Sequence, residues 1–325
     1  MLSYNYDIIL VMKRNVGNVV VILILTVILV VGFALMNLQS QNIRHYIVVA
    51  SNFAGYDFAR AVIGDSSAVK MLLKPGAEIH GYEPTPEDIL EIEKADLFIY
   101  NGGESEEWVK RLIDTNEIPA DRTFKMMGEV ELFEEETTAG LDNTDTKEKE
   151  YDEHIWTNPK NAILLVQKIA EKLSNIKNEE ASSYNKNANQ YVARLKKIDQ
   201  DFREVVKNAK KKELIFGDRF PFLYFVREYG LSYVAAFPGC SEQTEASSST
   251  IAQLVNKARE SNVKVILKIE LTSDKIAQTI ANELEDARVQ EFSAAHSISD
   301  EDFRKGVTYA DLMEKNIKTL SEALE

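Results

Sequence analysis

The chain has 325 residues, 45% of them hydrophobic, enough for two ordinary globular domains. Its formal net charge of −14 argues against nucleic acid, whose phosphates it would repel, and is compatible with attracting cations. A single cysteine, Cys240, excludes an internal disulfide framework and a thiolate-rich zinc cluster, and reads as a small buried residue.

Lys13 and Arg14 precede Val19 to Met36, a charge-free apolar run of 18 residues. That is near the roughly 20 needed to cross a bilayer. Basic residues before the run and few after it favour an N-inside orientation, with the remainder outside the cytoplasm. The run is long for a signal peptide and lacks a good small-x-small cleavage site, so residues 1–41 read as a cytoplasmic stub and an uncleaved transmembrane anchor rather than a removed signal. The localisation expected is the cell membrane, with soluble lobes on the extracytoplasmic side.

Residues 46–50 read as a buried strand, Tyr56 to Ile63 as a helix and Ala68 to Leu73 as a second strand ending at the Lys74-Pro75-Gly76 turn. Thr85-Pro86-Glu87-Asp88 opens a helix with a Thr cap, Pro in the first turn and acids at the positive end of the dipole. Residues 97–100 form a third strand, Asn101-Gly102-Gly103 a turn, and Glu106 to Ile113 a helix. This alternation predicts a parallel sheet with helices on its faces. Residues 131–153 carry ten acids and two lysines and read as a solvated loop.

Pro159 to Leu173 follows as an amphipathic helix. Glu179 to Lys211 is then a helical stretch without Pro or Gly, sparse in apolar residues, which suits a backbone spanning two domains. Afterwards the alternation resumes. The strands are Leu214 to Phe216, Tyr233 to Phe237 and Val263 to Ile269; the helices are Pro221 to Tyr229 (closed by Gly230), Ser248 to Ser261, Ser273 to Leu284 and Thr308 to Leu324. The fold class is α/β: two lobes with parallel sheets joined by a long bridging helix, plus the N-terminal transmembrane segment. The lobes fall at 42–176 and 213–325, and the bridge at 177–212.

Three of the four histidines, His80, His154 and His296, sit in polar, turn-rich segments far apart in sequence. Neutral imidazole is the commonest protein ligand for a transition metal, and loops on a rigid scaffold present ligands. The pattern points to a metal site assembled by folding. His45 reads as an exposed linker residue, and Trp156 and Tyr82 as packing around the site. Glu83 and Glu153 adjoin ligand candidates but face the other way in extended segments.

The motifs resemble one family. Pro75-Gly76, His80-x-Tyr82-Glu83-Pro84-Thr85-Pro86 and Ala95-Asp96-Leu97-Phe98-Ile99-Tyr100-Asn101-Gly102 are similar to the first lobe of the solute-binding proteins of zinc and manganese ABC importers, the cluster A-I or TroA-like metal-binding proteins. Asp152-Glu153-His154-Ile155-Trp156-Thr157-Asn158-Pro159 resembles that family's second histidine motif. Glu245-Ala246-Ser247 resembles its Glu-Pro-Ser segment, with Ala in place of Pro. The resemblance spans about residues 46–324 and implies a metal held between two lobes and handed to a membrane permease.

The second lobe departs from the pattern. Where the family usually has His or Glu after the first strand, this chain reads Phe216-Gly217-Asp218-Arg219-Phe220. Where it usually has a late Asp, this chain has Ala294-Ala295-His296. The expected metal ligands are His80, His154, Asp218 and His296, with Glu270 as a second carboxylate candidate or as a residue orienting an imidazole. Imidazoles with a carboxylate suit Zn²⁺; Mn²⁺, the alternative cargo, prefers more oxygen.

The expected function is capture of extracytoplasmic Zn²⁺ and its delivery to an ABC transporter permease, with membrane contact through the N-terminal segment and no nucleic-acid partner. No catalysis is expected. The chain has no His-Glu-x-x-His helix and no Gly-x-Ser-x-Gly elbow, so a zinc hydrolase using Glu270 as base is a minor alternative, as is a surface adhesin with a structural metal.

Overall fold

The computed structural model describes residues 46–77, 81–115, 117–136, 150–239 and 245–325. His45, His80, Cys240, the centre of the acidic loop and the apolar run at 19–36 lie outside these residues. No helix among the described residues is long and apolar enough to cross a membrane.

The first lobe runs β1 (Val48–Ala50), α1 (Phe53–Ile63), β2 (Val69–Met71), α2 (Pro86–Lys94), β3 (Leu97–Tyr100), α3 (Glu107–Asp114), β4 (Thr123–Lys125) and α4 (Pro159–Ile176). Local chemistry sets the helix ends. Asn52 caps α1 by accepting the Gly55 N–H at 2.9 Å, and Gly64, at φ +80°, closes it in the left-handed region. Thr85 and Asp88 form a capping box around Pro86 at the start of α2. The strands are all parallel, in the order β2-β1-β3-β4.

The bridge is α5 (Ala181–Asn208), 28 residues, or about 42 Å. It is shorter at both ends than the stretch read from sequence, and a 3-10 turn at Asn178–Glu180 precedes it. Tyr184, Ala188, Val192, Leu195, Ile198, Phe202 and Val206 form one buried stripe along it. The second lobe runs β5 (Glu213–Phe220), α6 (Leu223–Tyr229), β6 (Ser232–Pro238), α7 (Ser248–Glu260), β7 (Val265–Lys268), α8 (Lys275–Asn282), β8 (Arg288–Glu291), α9 (Asp300–Lys305) and α10 (Tyr309–Ala323). Its sheet is also parallel, in the order β6-β5-β7-β8.

The two sheets thus repeat one topology. Strand order reverses between β1 and β3 and again between β5 and β7, and ligands of α/β sheets gather at the carboxyl ends of such strands. Alternation in β1 and β3 sends Val48, Ala50, Leu97 and Ile99 to an inner core, and Val49 and Phe98 to an outer one with Ile92, Trp108 and Val109. The inner core continues through the α5 stripe to Phe216, Leu267 and Phe292 of the second lobe. The bridge is therefore a core element as well as a span. The edge strands β4 and β8 and the short helix α9 were not expected from sequence.

Candidate metal centre

His154 opens a 3-10 turn, Ile155–Thr157, just before α4. It is 1% exposed. Asp152 turns back on it. One carboxylate oxygen, Oδ1, accepts the His154 backbone N–H at 2.8 Å and lies 3.1 Å from Nδ1. With Nδ1–H donated to Asp152, the lone pair available to a metal resides on Nε2. Burial disfavours the charged imidazole, but the carboxylates around it, Asp152 foremost with Glu153 and Glu135, together outweigh it and hold the His154 pKa above its ordinary value.

His296 arrives from the far end of the chain. Its ring centroid lies 5.1 Å from that of His154, with the ring planes at 77°. Trp156 flanks both, 5.7 Å from His154 and 6.3 Å from His296. The Trp156 Nε1–H donates to the Ala294 carbonyl at 2.8 Å, and the Tyr309 hydroxyl donates to the Trp156 carbonyl at 2.7 Å. These bonds fasten the two histidine segments together.

Glu270 lies under the His296 loop. Its carboxylate accepts the backbone N–H groups of Ala294 and His296, each at 2.7 Å, and of Ser297 at 3.2 Å. Burial pushes its pKa up despite these donors. Ala295, between them, has φ +51°, a left-handed conformation that costs a residue with a side chain about 1 kcal/mol or more. Asn316 grips the loop from α10, accepting the Ser293 N–H at 2.8 Å and donating to the Ser293 carbonyl at 2.6 Å.

Asp218 lies within β5, where the pairing with β6 shifts register between Phe216 and Arg219. Its Oδ1 accepts the Arg219 N–H at 2.8 Å; its Oδ2 accepts the Ile269 N–H at 3.1 Å and the Thr272 hydroxyl. It ties β5 to the turn after β7. Among the described residues no group of three or more His, Cys, Asp or Glu side chains is placed to hold a metal. The fold thus brings together His154 and His296, with Glu270 bracing the latter and Asp218 in the β5–β7 junction. Tyr82 packs on Trp108, at 6.1 Å, and donates to Asp88 at 3.0 Å. The Glu153 carboxylate accepts the Ser105 N–H at 3.0 Å. Sequence reasoning gave Asp152 no role of its own; its position two residues before a histidine was the available signal.

The acidic loop is anchored at its base. Glu135 N–H donates to the Glu150 carbonyl and Asp152 N–H to the Phe133 carbonyl, both at 2.9 Å. Arg227 pairs with Glu136 at 2.5 Å.

A family model described as zinc-uptake complex component A, periplasmic, matches residues 48–323. The chain belongs to this family. Its members are metal-uptake components rather than enzymes. The high-affinity zinc uptake system protein ZnuA of Bacillus subtilis is 32% identical over 291 residues, covering 85% of this chain and 87% of that protein. The zinc-binding lipoprotein AdcA of Streptococcus pneumoniae is 30% identical over 281 residues, 86% of this chain; the chain spans 56% of that longer relative. The crystal structure of the Zn(II)-bound ZnuA-like domain of S. pneumoniae AdcA superimposes with a TM-score of 0.70 at 29% identity, covering 85% of this chain and 98% of that one. The family indicated by the histidine motifs, and the two-lobed architecture with parallel sheets, are those found.

Proposed function

We propose that the chain captures Zn²⁺ outside the cytoplasm, between its two lobes, and delivers it to the permease of an ABC importer. The observation that carries this reading is the buried pairing of His154 and His296, with Asp152 setting the His154 tautomer. The favoured ligand set is His80, His154 and His296 with one carboxylate, Asp218 from the family pattern or Glu270 from its place beside His296. Each carboxylate already accepts three hydrogen bonds, so either coordinates through a remaining lone pair. A site dominated by imidazole favours Zn²⁺ over Mn²⁺. The functional division is a first lobe at 42–176, a bridge at 177–212 and a second lobe at 213–325. The apolar run at 19–36 holds the chain to the membrane, leaving the lobes on the extracytoplasmic face.

Elemental analysis with competitive Zn²⁺/Mn²⁺ titration tests the reading. One Zn²⁺ per chain, bound in preference to Mn²⁺, is expected. His154→Ala lowers Zn²⁺ affinity about tenfold or more; unchanged calorimetric affinity refutes the site. Asp218→Ala and Glu270→Ala, measured side by side, identify the coordinating carboxylate as the one whose loss weakens binding more.

A further inference from the structure

We propose that Asp57, in α1, is a positioning residue for the metal: it fixes the start of α10 to the first lobe, and α10 in turn holds the loop that presents His296. The inference rests on the reading of His296 as a metal ligand and adds to it a support that lies outside the site.

Asp57 is 0% exposed, and donors from three helices converge on its carboxylate. Arg60, one turn on in α1, donates from Nε at 2.7 Å and brings a terminal nitrogen to 2.6 Å. The Tyr191 hydroxyl donates to it from α5. The backbone N–H of Tyr309, the first residue of α10, donates to it at 3.0 Å. The same cluster holds the chain on either side of Tyr309. The Arg60 guanidinium donates to the Val307 carbonyl at 2.5 Å, and the Tyr191 hydroxyl accepts the Ala310 N–H at 3.2 Å. Backbone N–H groups that a helix leaves unbonded in its first turn are thus satisfied from the first lobe and the bridge. The Tyr309 ring stands edge-on to Phe58 of α1, with centroids 5.1 Å apart.

By chain order α10 belongs to the second lobe, and its middle works there. About two turns beyond Tyr309, Asn316 is 1% exposed and bonds both the N–H and the carbonyl of Ser293. The Ser293 hydroxyl accepts the Ala295 N–H at 3.2 Å, and His296 follows. Over so short a span an α-helix is stiff, because backbone bonds close every turn. Its first turn and Asn316 therefore move together, and a displaced first turn shifts the His296 ring relative to His154.

A buried ion pair adds little net stability, since desolvation offsets most of the attraction. What its directional bonds do fix is one geometry, and at Asp57 that geometry joins α1, α5 and α10. Arg194 also links α5 to α10, through Asp311 and Glu314, but those groups are partly exposed and screened by solvent.

The test uses the full chain, with Zn²⁺ for affinity, Co²⁺ absorption for ligand geometry and thermal unfolding for stability. Asp57→Asn keeps the shape but sets an amide NH₂ against the arginine and tyrosine donors. It is expected to weaken Zn²⁺ binding about fivefold and to shift the Co²⁺ d–d bands. Val62→Ala, a core truncation elsewhere in α1, is expected to lower the thermal midpoint with both metal readouts unchanged. Should Asp57→Asn fail to fold, Tyr191→Phe, which removes one donor and keeps the ring, is expected to weaken binding about twofold. Either variant is then combined with Asn316→Ala. Distant residues with no shared partner usually contribute additively, whereas two residues acting through one helix give a combined loss smaller than the product of the single losses. Additive losses overturn the proposal. So does wild-type affinity with an unshifted Co²⁺ spectrum in both Asp57→Asn and Tyr191→Phe, or an equal loss of affinity in Val62→Ala. Failure of the underlying metal-site reading shows separately, as undiminished Zn²⁺ binding in His296→Ala.

Discussion

The chemistry of the site depends on a few side chains whose work is to hold others. Asp152 both orients the His154 ring and favours its protonated form. A proton on the imidazole competes with a metal. Because the His154 pKa is raised, competition starts at a higher pH than for a free imidazole, and Zn²⁺ affinity falls as pH drops through that range. Asp152→Asn removes the largest of the opposing charges. Burial then prevails, and the onset of the affinity loss moves to lower pH, even though weaker orientation lowers affinity at alkaline pH. Zn²⁺ titrations of both proteins across pH 5–8 check this; an unmoved onset would show that Glu153 and Glu135, the other carboxylates that raise the His154 pKa, control it instead. Glu270 works on the backbone, collecting three N–H groups around the left-handed Ala295 so that His296 emerges in one direction.

At the scale of elements, β5 and α8 meet at Gly217. A Cβ there would stand 2.4 Å from the Ala277 Cα and 2.7 Å from its backbone nitrogen, and backbone cannot yield as a flexible side chain can. Gly217→Ala must push helix and strand apart next to Asp218, and overpacking of this kind costs about 1–3 kcal/mol. The expected result is a lower thermal midpoint, read by circular dichroism, with Zn²⁺ affinity also reduced because the β5–β7 junction shifts. A variant as stable as the parent would show that α8 slides freely on the sheet. The same close approach explains why Gly217 interrupts an otherwise bulky run, Leu214-Ile215-Phe216, a feature that sequence alone left as a simple strand end.

For the molecule as a whole, the inner core joins both sheets along α5, so the lobes are not independently stabilised. A ligand that binds ligands from both halves stabilises only the folded state. Zn²⁺ at about 100 times its Kd adds about 2.7 kcal/mol, or roughly 4 °C for a chain of this size. Calorimetry of chelator-stripped protein with and without Zn²⁺ checks this, and an unchanged midpoint contradicts binding between the lobes.

Much of this was legible in the residues. Hydrophobic alternation, the cap at Thr85 and the Gly230 stop are local signals, set by chain geometry within a few residues, and they marked out most helices and the central strands. The histidine segments were visible for a related reason: residues that bind metal are polar where packing would have chosen otherwise. The edge strands β4 and β8, of three and four residues, carry too little pattern to stand out. Nor could local pattern show which oxygens surround which backbone. That Asp152 serves His154, that Glu270 supports the His296 turn, and that Asn101 holds the Glu153 carbonyl are consequences of distant segments converging, and only the tertiary structure decides them. A carboxylate reads the same in sequence whether it faces a metal, a backbone amide or solvent, because its role is set by what folding brings within about 3 Å of it.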